Sequence, residues 1–487
     1  MRRGTLPTAF RISHYLTGVL LLSCVIVLFQ DLRVGLAYLA ATVGILIPLH
    51  LYRVPDRFYY TVLLASGTVW LTHLIRPLVL SIQPEDFLYP RITAVNEELV
   101  TSALLRIAVM GFMLLSGLVL GYRIWGKLPT GRPEEATTHE DESGEPPLLF
   151  RMRTVVTLGL VFAVAFKAVF LLAFGVGFRS GEPNPILSII GRFLPDYLIY
   201  GLVVLYLAKY HRAMRPPERW LQVGLLVAMG ALGLLQGSKA FLAQILLALF
   251  VFYLAFRGDF RIRLGRAAVL AAAGLVVLAV SFPMAMSLRR HVQTDGYDMG
   301  AVPAMVEGLV EMARPDQAAF LSAWISSRFI GFDGVLAIEA RIPPELLQVF
   351  AFAETVERVQ GRLIPLDRGA GSISSGRAVS TYLIGHPEDL RHSGGVGLFA
   401  ASRLMGGPVG GVGIVFLFGL GWALYFCLVE RMRSADARFL LRYVGVNGII
   451  FWTMSGNADY LAPILVITVA EILVLNASLK PLYSVLR

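Results

Sequence analysis

LQVGLLVAMGALGLLQGSKAFLAQILLALFVFYLAF, residues 221–256, is an apolar run interrupted by one ammonium group, Lys239. It is too long for one comfortable crossing of roughly 30 Å of hydrocarbon. Its flanks, HRAMRPPER (211–219) and RGDFRIR (257–263), are both strongly basic. Basic connections favour the cytoplasmic side, so both flanks belong there and the run must turn back. Gly237 and Ser238 mark the turn, which puts Lys239 at the outer tip of a helical hairpin.

The rest of the chain fits that setting. Of 487 residues, 56% are hydrophobic and 16% charged, against roughly 45–50% and 25% in soluble domains. Apolar windows predict about twelve spans, near 13–30, 34–52, 58–80, 99–123, 152–176, 185–208, 219–235, 240–256, 266–286, 409–430, 439–455 and 460–478. The expected fold is an all-α polytopic membrane protein with one large, partly helical extracytoplasmic loop. It divides into four N-terminal spans (1–123), a Pro-rich acidic cytoplasmic connector expected to be disordered (124–150), spans five to nine (151–286), the loop (287–408) and three last spans (409–487). The N-terminal MRRGTLPTAFR has the charge of a signal peptide, yet the apolar stretch after it serves as an ordinary first span.

Lys and Arg gather in alternate connections, from Arg2, Arg3 and Arg11 through RVPDR (53–57) to ERMRSADAR (430–438). The short connections between them carry only Arg33, Arg91, Arg179 and Arg192. That asymmetry predicts cytoplasmic termini and an external 287–408 loop. The net charge of +10 therefore needs no nucleic-acid partner to explain it. Cys24 and Cys427 each lie in an apolar segment, which excludes a disulfide framework or thiolate metal cluster. No Walker-type phosphate loop occurs, and no His-x-x-x-His pair or clustered carboxylates mark a metal site, so neither ATP hydrolysis nor metal chemistry is expected.

The loop contains arginines and no lysine. Arg289 and Arg290 open it at the level expected for Lys239, and Arg328, Arg377 and Arg391 follow, with Arg403 near its end. An arginine fork gives bidentate contacts to phosphate and stays charged. Ordinary salt bridges on a folded loop, or a coding bias towards arginine, account for the same pattern. SAWISSRFIGFDG (322–334) is apolar enough to lie along the interface, delivering Arg328 and Asp333, which could simply pair with each other. His392 and Asp333 are candidate general bases for a hydroxyl near the cations. Four ionisable groups fall inside spans: Arg76, Arg106, Lys167 and Glu471, with His73 close to Arg76. Such groups face a protein interior or a wet cavity. Lys167 and Glu471 are both mid-span and read as an ion pair, while Arg76 and Arg106 are expected to line the cavity with Lys239.

Together, the helix count, the large late loop and the Gly237-Ser238-Lys239 step resemble bacterial O-antigen polymerases, the Wzy-type oligosaccharide repeat-unit polymerases related to O-antigen ligases. The resemblance implies an inverting, metal- and cofactor-independent glycosyl transfer at the periplasmic face of the bacterial inner membrane. The substrate would be polyprenyl-pyrophosphate-linked oligosaccharide, with a chain-length regulator protein as a further partner. Ser238, Lys239, Arg76, Arg289, Arg290, Arg328, Arg377 and Arg391 would hold substrate, with His392 and Asp333 as catalytic candidates. The ligase pattern of His, a polar residue, nine residues and Gly-x-x-Tyr starts at His392-Ser393 but meets Arg403 where the Gly belongs. A lipid-linked glycan flippase is the alternative from another class. It would show pseudo-repeats and leave the large loop unexplained.

Overall fold

The computed structural model describes residues 8–51, 54, 56–82, 97–126, 148–174, 196–235, 240–256, 303, 306, 310, 331–363, 375–384, 395–432, 434–456 and 458–486. These residues are helical and contain no strand. Ten of the twelve expected spans coincide with helices, and 196–208 of the span expected at 185–208 is helical; residues 185–195 and the whole of 266–286 lie outside the described residues. Among the described residues, five helical stretches are long and apolar enough to cross a membrane: Ser13–Gln30, Leu32–His50, Phe58–Ser81, Glu97–Trp125 and Gly397–Val429. The expected 221–256 hairpin is two helices, Pro216–Leu235 and Ala240–Phe256, in contact with each other.

The chain forms two compact units, and all five apolar stretches lie in the first. That unit contains α1 (Thr8–Gln30), α2 (Leu32–Leu51), α3 (Asp56–Val69), a π-helical turn (Trp70–Leu74), α4 (Ile75–Ile82) and α5 (Glu97–Trp125). Its most extensive contact joins α5 to the much later helix Gly397–Val429, with α2 on α5 next. Small residues make the first crossing possible. A Cβ on Gly117 would collide with the carbonyl of Phe416, and one on Gly419 with the carbonyl of Leu114. Gly121 meets Ala423 one turn further. Both helices thus carry the small-x-x-x-small spacing, which lets backbones approach where lipid supplies no hydrophobic drive for association.

In the second unit, α6 (Leu148–Arg151), α7 (Arg153–Phe174), α8 (Asp196–Leu205), a π turn (Tyr206–Tyr210), α9 (Pro216–Leu235) and α10 (Ala240–Phe256) pack with part of a late helix that starts at Ala435. Buried tyrosines bridge them, because a hydroxyl in an apolar interior must find an acceptor. Tyr200 donates to the Met229 carbonyl at 3.3 Å, Tyr206 to that of Leu149 at 2.9 Å, and Tyr443 to that of Gln244 at 3.1 Å. Asp436 accepts from Lys209 at 2.6 Å and from Tyr210 at 2.5 Å, so both its oxygens are satisfied. Both Glu471 oxygens are buried without a hydrogen-bond partner.

The segment expected as the external loop contains several short helices. Its helix α11 (Gly331–Ala340) is buried from Gly331 to Ile338 and packs on the π turn at Trp70–Leu74, on α5 and on the helix Gly397–Val429. Residues 331–334, expected along the interface, are therefore core. α12 (Pro344–Val349) and α13 (Phe352–Leu363) follow, then α14 (Ser375–Val379) with a π turn (Ser380–Ile384). α15 (Gly397–Val429) begins well before the span expected at 409, but Gly407 (φ 68°, ψ −165°) breaks it just ahead of Pro408. Pro408 fits that break, because its ring excludes the preceding residue from helical geometry. The last helices are α16 (Ala435–Ser455) and α17 (Ala458–Leu486).

Replacing Gly117 or Gly419 by Leu should force α5 and α15 apart, costing about 1–3 kcal/mol as an overpacked contact. A lowered thermal midpoint of the purified protein in detergent, against an unchanged one for Gly413→Leu where a Cβ meets open space, checks it.

Candidate functional site

The first unit collects ionisable groups from four separated parts of the chain around α11. α11 is apolar except for two acids, Asp333 in its first turn and Glu339 near its end. Asp333 is 0% exposed, a depth at which a carboxylate needs a counter-charge. The counter-charge is Arg76, two residues past the π turn in α4, itself 1% exposed, with Nε donating to the two Asp333 oxygens at 3.4 and 3.3 Å. The helix N-terminus also favours the anion, since unpaired N–H groups there carry partial positive charge. Burial nevertheless pushes the Asp333 carboxyl up to about 6, with the Arg76 guanidinium pulling in the other direction.

His73 lies beside this pair, fully buried on the π turn. The π turn places successive residues Thr72 and His73 in one polar chain. The Thr72 hydroxyl donates to the Thr68 carbonyl at 2.7 Å and lies 2.6 Å from His73 Nδ1. A hydroxyl has one proton, already given to Thr68, so Nδ1–H is the donor in the second contact. That tautomer leaves a lone pair on Nε2, which is buried without a hydrogen-bond partner. The ring stacks on Phe399 at 4.2 Å and is covered by Gly331, where any Cβ would stand 2.7 Å from Nε2. Gly397 closes the same corner at φ 78°, a left-handed conformation that requires glycine.

At the other end of α11, Glu339 meets two arginines through one oxygen. Arg403 Nε lies 3.3 Å from Oε1, and Arg106 Nε is in direct contact with the same atom. Neither arrangement has hydrogen-bond geometry, so Oε1, Arg106 Nε, and Arg403 Nε and Nη1 are all buried without a hydrogen-bond partner.

The structure thus brings together two of the sequence-derived site residues, Arg76 and Asp333. The partner foreseen for Asp333 was Arg328; the one found is Arg76. Ser238, Lys239, Arg289, Arg290, Arg328, Arg391 and His392 lie outside the described residues. Arg377 falls in α14, which packs on α12. Glu339 was missed, and so was the meeting of Arg106 with Arg403. The available signal was two acids interrupting the otherwise apolar GFDGVLAIEA. In the second unit, an apolar groove of about 430 Å³ runs between α7 and α9, lined by Val161, Val164, Ala168, Leu221, Leu225 and Leu232 among others.

Comparisons with protein-family models, characterised proteins and solved structures returned no match. The site therefore rests on its own geometry.

Asp333→Ala should cost about 3–5 kcal/mol, because it leaves Arg76 buried without its counter-charge. The double variant Arg76→Met/Asp333→Leu should recover most of that loss, as both charges are gone. Thermal or denaturant unfolding of the two single variants and the double would read the coupling; strict additivity would remove the pair from the core.

Proposed function

We propose that this protein is a membrane glycosyltransferase that polymerises polyprenyl-pyrophosphate-linked oligosaccharide repeat units into a surface polysaccharide. The reaction would take place at the periplasmic face of the bacterial inner membrane. The observation that carries the reading is the buried pairing of Arg76, from an apolar membrane-length helix, with Asp333, from the long late segment. A buried cation–carboxylate pair beside a neutral histidine, in a helical chain of membrane character, supplies the groups such a transfer needs.

In the reaction, the acceptor hydroxyl oxygen attacks the anomeric carbon of the growing chain. The bond from that carbon to the pyrophosphate oxygen breaks with inversion, and the leaving pyrophosphate takes the electron pair. The hydroxyl proton passes to a base, Asp333 or His392. Cations fixed in a partly dry site stabilise the departing charge most strongly, because they need no reorganisation as it develops. Lys239, Arg289, Arg290, Arg328, Arg377 and Arg391 are the further candidates for that role. The groove between α7 and α9 has the apolar chemistry that a polyprenyl chain takes.

Reconstituted protein given lipid-linked oligosaccharide should yield a ladder of regularly spaced products. Lys239→Ala and Arg328→Ala should each lower the rate by about 10²-fold, the range for losing one charge-stabilising donor, with membrane insertion unchanged. Labelled substrate crossing the bilayer without any ladder would replace the polymerase by a flippase. With Asp333 as base the ionised form is active, so turnover should hold above about pH 6 and fall as pH drops through that value. An acid limb that persists unmoved in Asp333→Asn would reassign the base to another group.

A further inference from the structure

We infer that Arg106 and Arg403 form a phosphate-binding site, and that Glu339 is the internal carboxylate a phosphate displaces from it. Charge is the first argument. Two guanidiniums share one carboxylate, leaving an excess positive charge. Both arginines converge on a single oxygen, Oε1, with Nε of Arg403 at 3.3 Å and Arg106 in direct contact.

Geometry is the second. Each guanidinium offers a planar fork suited to two acceptor oxygens, but a single Oε1 faces both. Arg106 Nε and Arg403 Nε and Nη1 consequently remain buried without a hydrogen-bond partner. Buried donors of charged groups seldom stay unpaired, since each costs its desolvation without return. Asp436 shows what a satisfied acid looks like in this chain, accepting from Lys209 at 2.6 Å and Tyr210 at 2.5 Å on separate oxygens. A phosphate brings three acceptor oxygens and up to two charges, which matches the unfilled donors better than Oε1 does.

Placement is the third. Glu339 stands near the C-terminus of α11, where unpaired carbonyls disfavour a carboxylate, so its hold on the site is weakened by its own helix. The three side chains are 21% (Arg106), 15% (Arg403) and 9% (Glu339) exposed, low enough to strengthen charge interactions yet open to a ligand. The phosphate could belong to a lipid headgroup or to a soluble ligand. The proposal leans on the glycan-polymerase reading only for the identity of that carrier.

The test is thermal unfolding of the purified full chain in phosphatidylcholine nanodiscs, titrated with inorganic phosphate and with pyrophosphate. A parallel set of nanodiscs contains phosphatidic acid. In the unaltered protein the midpoint should rise saturably. Glu339→Gln should reach half-saturation at roughly fivefold lower concentration, the factor expected from removing a competing part-exposed ion pair. Arg403→Gln should abolish the response, and Arg403→Lys, a milder change, should weaken it through loss of the fork. A response confined to phosphatidic acid discs places the phosphate on a lipid; one to free phosphate or pyrophosphate places it on a soluble ligand. Absence of a saturable response from any source, or identical titrations for Glu339→Gln and the unaltered protein, would overturn the proposal. A phosphate response without a glycan ladder would keep this site and remove the polymerase, and the converse result would do the reverse.

Discussion

An arginine with 1% exposure cannot remain without a counter-charge, and in this chain the counter-charge arrives 257 positions later. Desolvating Arg76 and Asp333 costs more than a surface pair ever would, so the pair adds little to net stability by itself. Its force lies in what it forbids. Any packing that separates the two leaves a buried charge, and that penalty locks α11 onto the π turn and α4. The polar seam of the first unit follows from that one docking: α11 carries Glu339 to Arg106 and Arg403, and Gly331 onto His73.

The two acids of α11 are treated unequally by the helix that bears them. Asp333 in the first turn gains from the N-terminal partial charge and is served by one arginine. Glu339 near the last turn is opposed by the carbonyl end and meets two arginines, yet neither forms a proper hydrogen bond to it. The first arrangement holds a fold together; the second leaves donors unspent. His73 adds a third kind of group, a neutral imidazole whose Nδ1 proton is committed to Thr72 and whose Nε2 lone pair is enclosed by Gly331 and Phe399.

Close backbone approach makes these meetings possible. Gly117 and Gly419 let α5 and α15 cross at a distance where one added methyl collides with a carbonyl. That crossing sets Arg106 on α5 and Arg403 on α15 within reach of the same oxygen. The tyrosines of the second unit do a different job, each donating to a distant backbone carbonyl across helices.

The helices themselves could be read from the chain. Apolar windows located α1 to α5, α9 and α10, and the late helices, because a membrane-length apolar run has few other folds open to it. Composition likewise settled the all-helical class. Arg76, Arg106 and Asp333 were recognisable as ionisable groups that needed a reason. Their partners were not, because a salt bridge spanning 257 positions leaves no periodicity and no local spacing. GFDG was read as part of an apolar stretch lying along the interface, whereas the eight buried residues of GFDGVLAIEA place it in the core. Arg403 looked like a departure from a motif until α15 carried it to Glu339. The chain alone determined which segments must hide from water, a local property of each segment. Only tertiary structure decided which buried charge answers which, a property of helices that meet.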